Sequence, residues 1–380
     1  MMKKRKVVVL HYSPIELYPP LMNFLNFAGE RSPDCEYVVI SSASSDAVAA
    51  KYVATSGSIR LLRTGNSRSN NWWARLYGYI SFYATSIWLI LKWKPSVLVY
   101  YETLSCLPAY VCKKVFGRTF LLLIHYHEYV SSGEFLSGSR FFRLLWNIEK
   151  KIIPGASWIS HTNKQRMKMF CDDYGISESK VCRILPNYPP ASWRNPGIRH
   201  EIILPVKIVY VGSLSNETMY LKEFAQWVMF NKAFVHWDIY SINPDPDALT
   251  YLDSLCADNI SFKGSVDYNE LPRLLNKYDV GVVLYKGHIP NFVENAPNKL
   301  FEYHVCGLDV WFPAVMKGCF PYVTVNTYPQ IRSVDFENLV KWDGKSALNR
   351  SGLHFEIRNY SCEAVLPDFL SLVTQNKILD

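Results

Sequence analysis

Two glutamates bracket a lysine in the run Glu294-Asn-Ala-Pro-Asn-Lys-Leu-Phe-Glu302, an order of groups that suits a sugar, a diphosphate and a ribose laid end to end. Pro297 fits the first turn of a helix, where its missing N–H is no loss, and Gly307 fits the helix stop, so a helix is expected over 297–306. The residue ahead of it, Ala296, has no side-chain oxygen, which leaves the N–H groups of Asn298 and Lys299 without a local acceptor. Those donors and the positive end of the helix dipole point the same way, and together they favour an anion such as phosphate. A lysine in the first turn runs against the usual dipole preference, which strengthens the expectation of an anionic ligand. Asn298 and Glu302 are four residues apart and share one helix face, so the Glu302 carboxylate is placed to accept ribose hydroxyls. Glu294, in the loop upstream, would reach the sugar beyond the phosphates. The plain alternative is a pair of surface glutamates on an ordinary helix.

Two other segments carry groups of the same kind. Val209-Tyr-Val-Gly212-Ser213 ends an apolar run at a glycine, which permits close backbone approach to a phosphate. Leu121-Leu-Leu-Ile-His125-Tyr-His127-Glu128 runs from an apolar stretch directly into histidines, so His125 or His127 emerges at a strand end. A neutral imidazole there can orient a hydroxyl or carry a proton near pH 7; a purely structural strand-end histidine is the alternative.

The elements that must position these groups alternate along the chain. Short β-branched runs at Val7–His11, Tyr37–Ser41, Val97–Tyr101, Phe120–His125 and Trp158–His161 are separated by longer helical patterns. The texture restarts at Val206–Val211, Trp237–Tyr240, Ile260–Phe262, Val280–Tyr285 and Val310–Phe312. The expected fold class is therefore α/β, with two doubly wound, Rossmann-like parallel sheets. Prolines between Ile184 and Pro196 mark a linker near 190–204. The expected organisation is an N-terminal domain over 1–195, a second over 205–360, and a closing helix over 361–380, where Val365, Phe369, Leu372 and Val373 fall at helical spacing. Tandem open sheets of this kind present the carboxyl ends of their strands to one another across a cleft, so the chemistry should sit in loops leaving strands.

In this context the chain resembles the retaining, family-four group of nucleotide-sugar glycosyltransferases, which have the GT-B fold. The resemblance rests on Glu294 to Glu302, continued by Lys299-Leu-Phe-Glu-Tyr303 and Gly307, and extends to Gly212-Ser213, Phe262-Lys-Gly264 with Leu271 and Tyr278-Asp279, Pro186-Asn187, and His127-Glu128. It implies that Glu294 contacts donor-sugar hydroxyls near the reacting carbon, Glu302 the ribose, and Asn298 and Lys299 the diphosphate. It also implies that His127 touches the donor sugar, and either Glu294 or His127 assists chemically or only positions. Relatives usually carry an arginine after the glycine; here Ser213 stands in that place, and Lys222 is the nearest lysine, either a second phosphate cation or a solvated helix residue. Tyr268, in Val266-Asp-Tyr-Asn-Glu-Leu271, lies where relatives hold the nucleobase and either stacks on it or occupies an exposed turn. The loop His11-Tyr-Ser-Pro-Ile-Glu16-Leu-Tyr18-Pro-Pro20 replaces a glycine-rich loop of relatives, with Glu16 and Tyr18 as acceptor contacts. Stabilising the leaving diphosphate is then the main task, met by Lys222, Lys299 and the helix end. No Asp-x-Asp pair occurs in a suitable place, so metal-independent transfer with retention is expected, with no cofactor.

Composition sets the surroundings. Residues 1–190 hold 24 Lys and Arg against 12 Asp and Glu, while 191–380 hold 17 against 21, so the halves carry +12 and −4. A basic first half meets an anionic partner, or is simply a solvated face. The segment Trp72 to Lys94 is aromatic and apolar with flanking cations, and Arg140, Arg143, Trp146, Lys150 and Lys151 extend the theme. That pattern favours docking on an anionic leaflet to reach a lipid-linked saccharide, as in surface polysaccharide (capsule or O-antigen) assembly on the inner face of the cell membrane; a core helix is the alternative for Tyr79–Leu91. The longest uncharged stretch, Leu76–Leu91, is 16 residues, short of the roughly 20 a spanning helix needs. Lys3-Lys-Arg-Lys6 before Val7-Val-Val-Leu10 imitates an export signal, but His11 ends the apolar run too early. Nine scattered cysteines give neither metal-ligand spacing nor a disulfide framework. A sugar-nucleotide epimerase of the same fold and a non-catalytic sugar-nucleotide module remain as other readings. A nucleic-acid binder leaves Glu294–Lys299 unexplained, and a nicotinamide dehydrogenase lacks its Gly-x-Gly-x-x-Gly after a strand.

Overall fold

The structure is a computed structural model that describes residues 4–43, 52–54, 56–65, 71–178, 181–195, 202–242 and 244–375. The chain divides into two compact units, Met1–Asn187 with Cys362–Asp380, and Tyr188–Ser361. Residues 196–201 of the expected linker lie outside the described residues.

The first unit is built on seven parallel strands: β1 (Arg5–His11), β2 (Cys35–Ser42), β3 (Ile59–Thr64), β4 (Val97–Tyr101), β5 (Leu121–Tyr126), β6 (Trp158–His161) and β7 (Cys182–Ile184), in the order β3-β2-β1-β4-β5-β6-β7. The inner strands are buried on both faces, which is why they read as unbroken apolar runs. Val7, Val9, Val97 and Val99 pack one face, against the Pro19–Arg31 helix and the terminal Cys362–Thr374 helix; Phe369 meets Phe24 at 5.0 Å and Trp158 at 5.3 Å. Val8, Leu10, Leu98 and Tyr100 pack the other face.

The second unit repeats the design with β8 (Val206–Val211), β9 (Val235–Tyr240), β10 (Ile260–Phe262), β11 (Val280–Val282), β12 (Asp309–Pro313) and β14 (Ile331–Val334), ordered β10-β9-β8-β11-β12-β14. A two-stranded parallel pair, β13 (Thr327–Tyr328) with β15 (His354–Phe355), sits apart. In each large sheet the order reverses beside the first strand, between β1 and β4 and between β8 and β11. Those reversals are where loops diverge and ligands enter open α/β sheets.

One ionisable group lies at the heart of the first unit. Glu149, fully buried on the Arg140–Ile152 helix, accepts the hydroxyls of Tyr100 at 2.9 Å, Tyr126 at 2.8 Å and Tyr174 at 2.5 Å. Burial raises its carboxyl pKa, and the hydroxyls, by donating to the carboxylate, offset part of that shift. Glu149→Leu should therefore lower stability by about 2–4 kcal/mol in urea unfolding, because three buried hydroxyls lose their acceptor together. A loss below about 1 kcal/mol would show that the hydroxyls find other acceptors.

Candidate functional site

In the second unit the expected helix forms over Asn298–Val305, one residue later than the proline rule places it: Pro297 is extended, at φ −70° and ψ 154°, and precedes the helix as its cap residue. No side chain caps this end. Pro297 offers the first-turn N–H groups no side-chain acceptor, which suits an anion at that end. The helix is held in place by Tyr303, whose hydroxyl accepts the N–H of Val211 at 2.9 Å, at the end of β8 and one residue before Gly212. Tyr303 reaches it by passing Gly281 on β11, where any Cβ would lie 2.2 Å from the ring. His304 adds a second tie, its Nε2 accepting the Arg358 N–H at 3.1 Å.

The loop ahead of the helix is pinned as tightly. A Cβ on Gly318 would lie 2.3 Å from the Glu294 carbonyl oxygen, and the Cys319 thiol donates to the Asn295 carbonyl at 3.2 Å. Glu294 is half-buried and Asn298 and Lys299 are partly exposed. Glu302 departs from expectation: its side chain is buried and pairs with Lys299 Nζ at 2.5 Å, so the residues assigned separately to ribose and diphosphate are joined to one another. The cause is helix geometry, since residues three apart lie on adjoining turns.

Around Gly212 the Tyr210 hydroxyl donates to the Ser213 carbonyl, and the Gly212 N–H donates to Tyr240 at 3.0 Å. Ser213 is exposed. Lys222 lies exposed on the Leu221–Phe230 helix with its ammonium over the Tyr251 ring at 5.5 Å. Tyr268 packs against Trp193, ring centroids 4.6 Å apart.

In the first unit, the carboxyl edge gathers His11, Tyr101 and His125 in one row of neighbouring strands. His127 follows β5, buried, stacked on Tyr101 at 5.2 Å and edge-on to His125 at 4.7 Å. Its peptide is held from both sides: Glu102 Oε1 accepts its N–H at 2.7 Å, and Arg166, itself buried, donates to its carbonyl at 2.9 Å. Its Nδ1 lies 3.3 Å from Asn187 Oδ1. Glu102 is strained, with φ 63° and ψ 152°, a region that non-glycine residues rarely occupy. Burial raises its carboxyl to about 8, against the N–H bonds from His127 and Glu128. Burial also lowers His11 to about 4 and His125 to about 3, and holds His127 well below the usual imidazole range, so these rings are neutral at pH 7. Of the two loop residues expected to meet an acceptor, Glu16 has a buried side chain paired with Arg63, and its Oε1 also accepts the Tyr52 N–H at 3.1 Å. Tyr18 lies against His11 at 4.2 Å and His127 at 5.5 Å.

No family model matches the chain, and no curated protein is similar to it in sequence. Solved structures do match, over nearly the full length. A sucrose-phosphate synthase from Thermosynechococcus elongatus superposes with TM-score 0.69 at 14% identity, covering 97% of this chain and 98% of that one. The lipopolysaccharide outer core galactosyltransferase WaaB gives 0.62 at 15%, covering 97% and 99%. A UDP-N-acetylglucosamine 2-epimerase gives 0.56 at 12%, covering 97% and 96%.

The chain has the GT-B fold. Within that fold, sequence reasoning passed over four residues that hold the site: Gly281, Gly318, Glu102 and Arg166. The glycines gave a weak signal, each standing where only a missing side chain allows close approach; Glu102 and Arg166 gave none. In this GT-B chain Gly281→Ala should lower the melting temperature by several degrees, because the added methyl collides with Tyr303 and overpacking costs about 1–3 kcal/mol. An unchanged melting temperature would mean the helix shifts freely.

A second prediction concerns pH. Glu102 binds its proton more tightly folded than unfolded, so its contribution is greatest below pH 4.5 and is lost as pH rises from 4.5 towards 8. The stability of Glu102→Gln relative to wild type should therefore grow across that window and stay level below it; a constant difference would remove the assignment.

Proposed function

We propose that the chain is a glycosyltransferase that moves a sugar from a nucleoside-diphosphate donor to a saccharide acceptor, with retention and without a metal ion. The observation that carries this is the Asn298–Val305 helix end: uncapped by any side chain, with Lys299 in its first turn, Glu294 upstream and Glu302 one turn on. In this reading the diphosphate takes the first-turn N–H groups and draws Lys299 from Glu302, which frees that carboxylate for the ribose. Glu294 meets the sugar. The departing β-phosphate gains negative charge as the sugar becomes oxocarbenium-like, and Lys299 with the helix dipole stabilises it electrostatically. Lys222 serves as a second cation, and Gly212, Ser213 and Tyr268 border the nucleotide. His127, held by Glu102, Arg166 and Asn187, orients a sugar hydroxyl. Front-face attack, with the leaving phosphate taking the acceptor proton, accounts for retention.

The acceptor side of the proposal is a membrane surface. The Trp72–Trp93 helix buries Gly78, Phe82, Tyr83, Ser86 and Ile90, yet exposes Trp73, Leu76, Tyr77, Ile80 and Trp88 at the same helical spacing on another face. Arg75, Lys92 and Lys94 are exposed with them. Phe141 on the Arg140–Ile152 helix meets Tyr79 at 5.1 Å and brings exposed Arg140, Arg143 and Leu144 alongside. Aromatic rings beside cations suit the interface of an anionic leaflet, where the acceptor would be a lipid-linked saccharide of surface polysaccharide assembly on the cytoplasmic side. No helix among the described residues is long and apolar enough to cross a membrane.

A second reading, epimerisation of a sugar nucleotide, is favoured by the likeness to a 2-epimerase and needs no acceptor. Product analysis with and without saccharide separates the two. Screening nucleotide sugars should find one that raises the melting temperature by several degrees, with Lys299→Ala abolishing the rise and Glu294→Gln lowering turnover by at least about 100-fold while leaving the fold intact. Full activity in both variants would sink the site. Sedimentation with vesicles should show binding that rises with anionic lipid and falls in Trp73→Glu/Tyr77→Glu; equal binding to neutral vesicles would remove the electrostatic part, and no binding the whole docking proposal.

A further inference from the structure

His11 ends β1 at the reversal of strand order in the first unit, and its hydrogen bonding determines which nitrogen carries the proton. Nδ1 lies 2.8 Å from the Ser13 carbonyl oxygen, which has no hydrogen to give, so Nδ1 is the donor and Nε2 holds a lone pair. His127 repeats the arrangement, its Nδ1 facing the Asn187 side-chain oxygen. In both rings Nε2 is buried and has no hydrogen-bond partner among the described residues. A buried acceptor left unpaired costs about 1–3 kcal/mol, so each of these nitrogens calls for a partner that the described residues do not supply. The two rings lie 6.1 Å apart, within the span of one sugar ring, and Tyr18 rests on both.

We propose that His11 and His127 together form a two-point acceptor for hydroxyl groups of a single sugar, reached when the Tyr18 ring moves aside. The proposal builds on the reading above, which gave only His127 a sugar contact, and adds His11 as a specificity-determining residue. Neutral imidazoles whose Nδ1 protons are already committed offer nothing to an anion; they accept from O–H donors, so the ligand is a polyol rather than a phosphate. Its hydroxyls belong either to the donor sugar or to the acceptor saccharide.

Two substitutions dissect the ring. In His11→Asn the amide nitrogen takes the place of Nδ1 and keeps the bond to Ser13 while the Nε2 acceptor is lost; in His11→Gln an amide oxygen stands near the Nε2 position. The expected result is a KM raised on the order of 10-fold in His11→Asn, for the nucleotide sugar if the hydroxyls are the donor's and for the saccharide if they are the acceptor's, with recovery in His11→Gln. Melting-temperature shifts with the nucleoside diphosphate alone should match wild type in both. Wild-type KM values in His11→Asn, or equal losses in both variants, overturn the proposal.

A second readout does not depend on any nucleotide. Nitrogen-15 spectra of the histidine-labelled full chain at pH 7 should show Nε2 of His11 and His127 unprotonated, with both resonances moving on addition of a free hexose. A protonated Nε2 on His11, or resonances unmoved by glucose and galactose, overturns the pair even where a nucleotide sugar binds. Moved resonances without any nucleotide-sugar binding would keep the pair and discard the transferase reading.

Discussion

Both sheets reverse their strand order beside the first strand, and several of the candidate groups leave the strands that meet there. A parallel strand can hand its chain only to a crossover on one face or the other, so at the point where crossovers switch faces the two outgoing loops part company. In the first unit the loops that part leave β1 just past His11 and β4 at Glu102. In the second they leave β8 and β11, and Gly212 follows one of them. The Tyr303 hydroxyl then ties the Asn298–Val305 helix to the end of β8, through the gap that Gly281 leaves.

The two units solve the same placement problem with opposite materials. The second holds its site with main-chain proximity, through glycines whose absent side chains let Glu294 and Tyr303 come close. The first holds its site with polar side chains, half-buried Glu102 and buried Arg166 and Asn187, each taking one group of His127 or its peptide. Close packing of backbone gives stiffness at little electrostatic cost, whereas buried polar groups must be mutually satisfied to be tolerated. The neutral imidazoles follow from this, since burial among aromatic rings disfavours their charged form.

How much of this was visible in the residues follows from where each signal originates. Inner strands such as Val7–His11 and Val206–Val211 were legible because burial on both faces leaves an unbroken apolar run. The strands Ile59–Thr64, Cys182–Ile184 and Ile331–Val334 escaped notice, for they include Arg60 and Arg63, Arg183, and Arg332. These strands are the outer edges of their sheets, where polar side chains find solvent. The position of the helix start was readable to within one residue from Pro297, as local chemistry governs it. The i,i+3 spacing of Lys299 and Glu302 allowed their pairing, but that Glu302 is buried was not readable, because it depends on how the helix packs, and the strain at Glu102 depends on neighbours brought together only by the sheet.

The backbone at Glu102 gives the fold an uneven relation to mutation. Its conformation is comfortable only for glycine, and the genetic code places glycine a single base change from glutamate. That one substitution would relax the local chain while deleting the carboxyl group that accepts the His127 N–H. Relief of backbone strain and loss of that bond therefore come with the same nucleotide change, so the strain at this position accompanies the hold on the peptide and cannot be removed by itself.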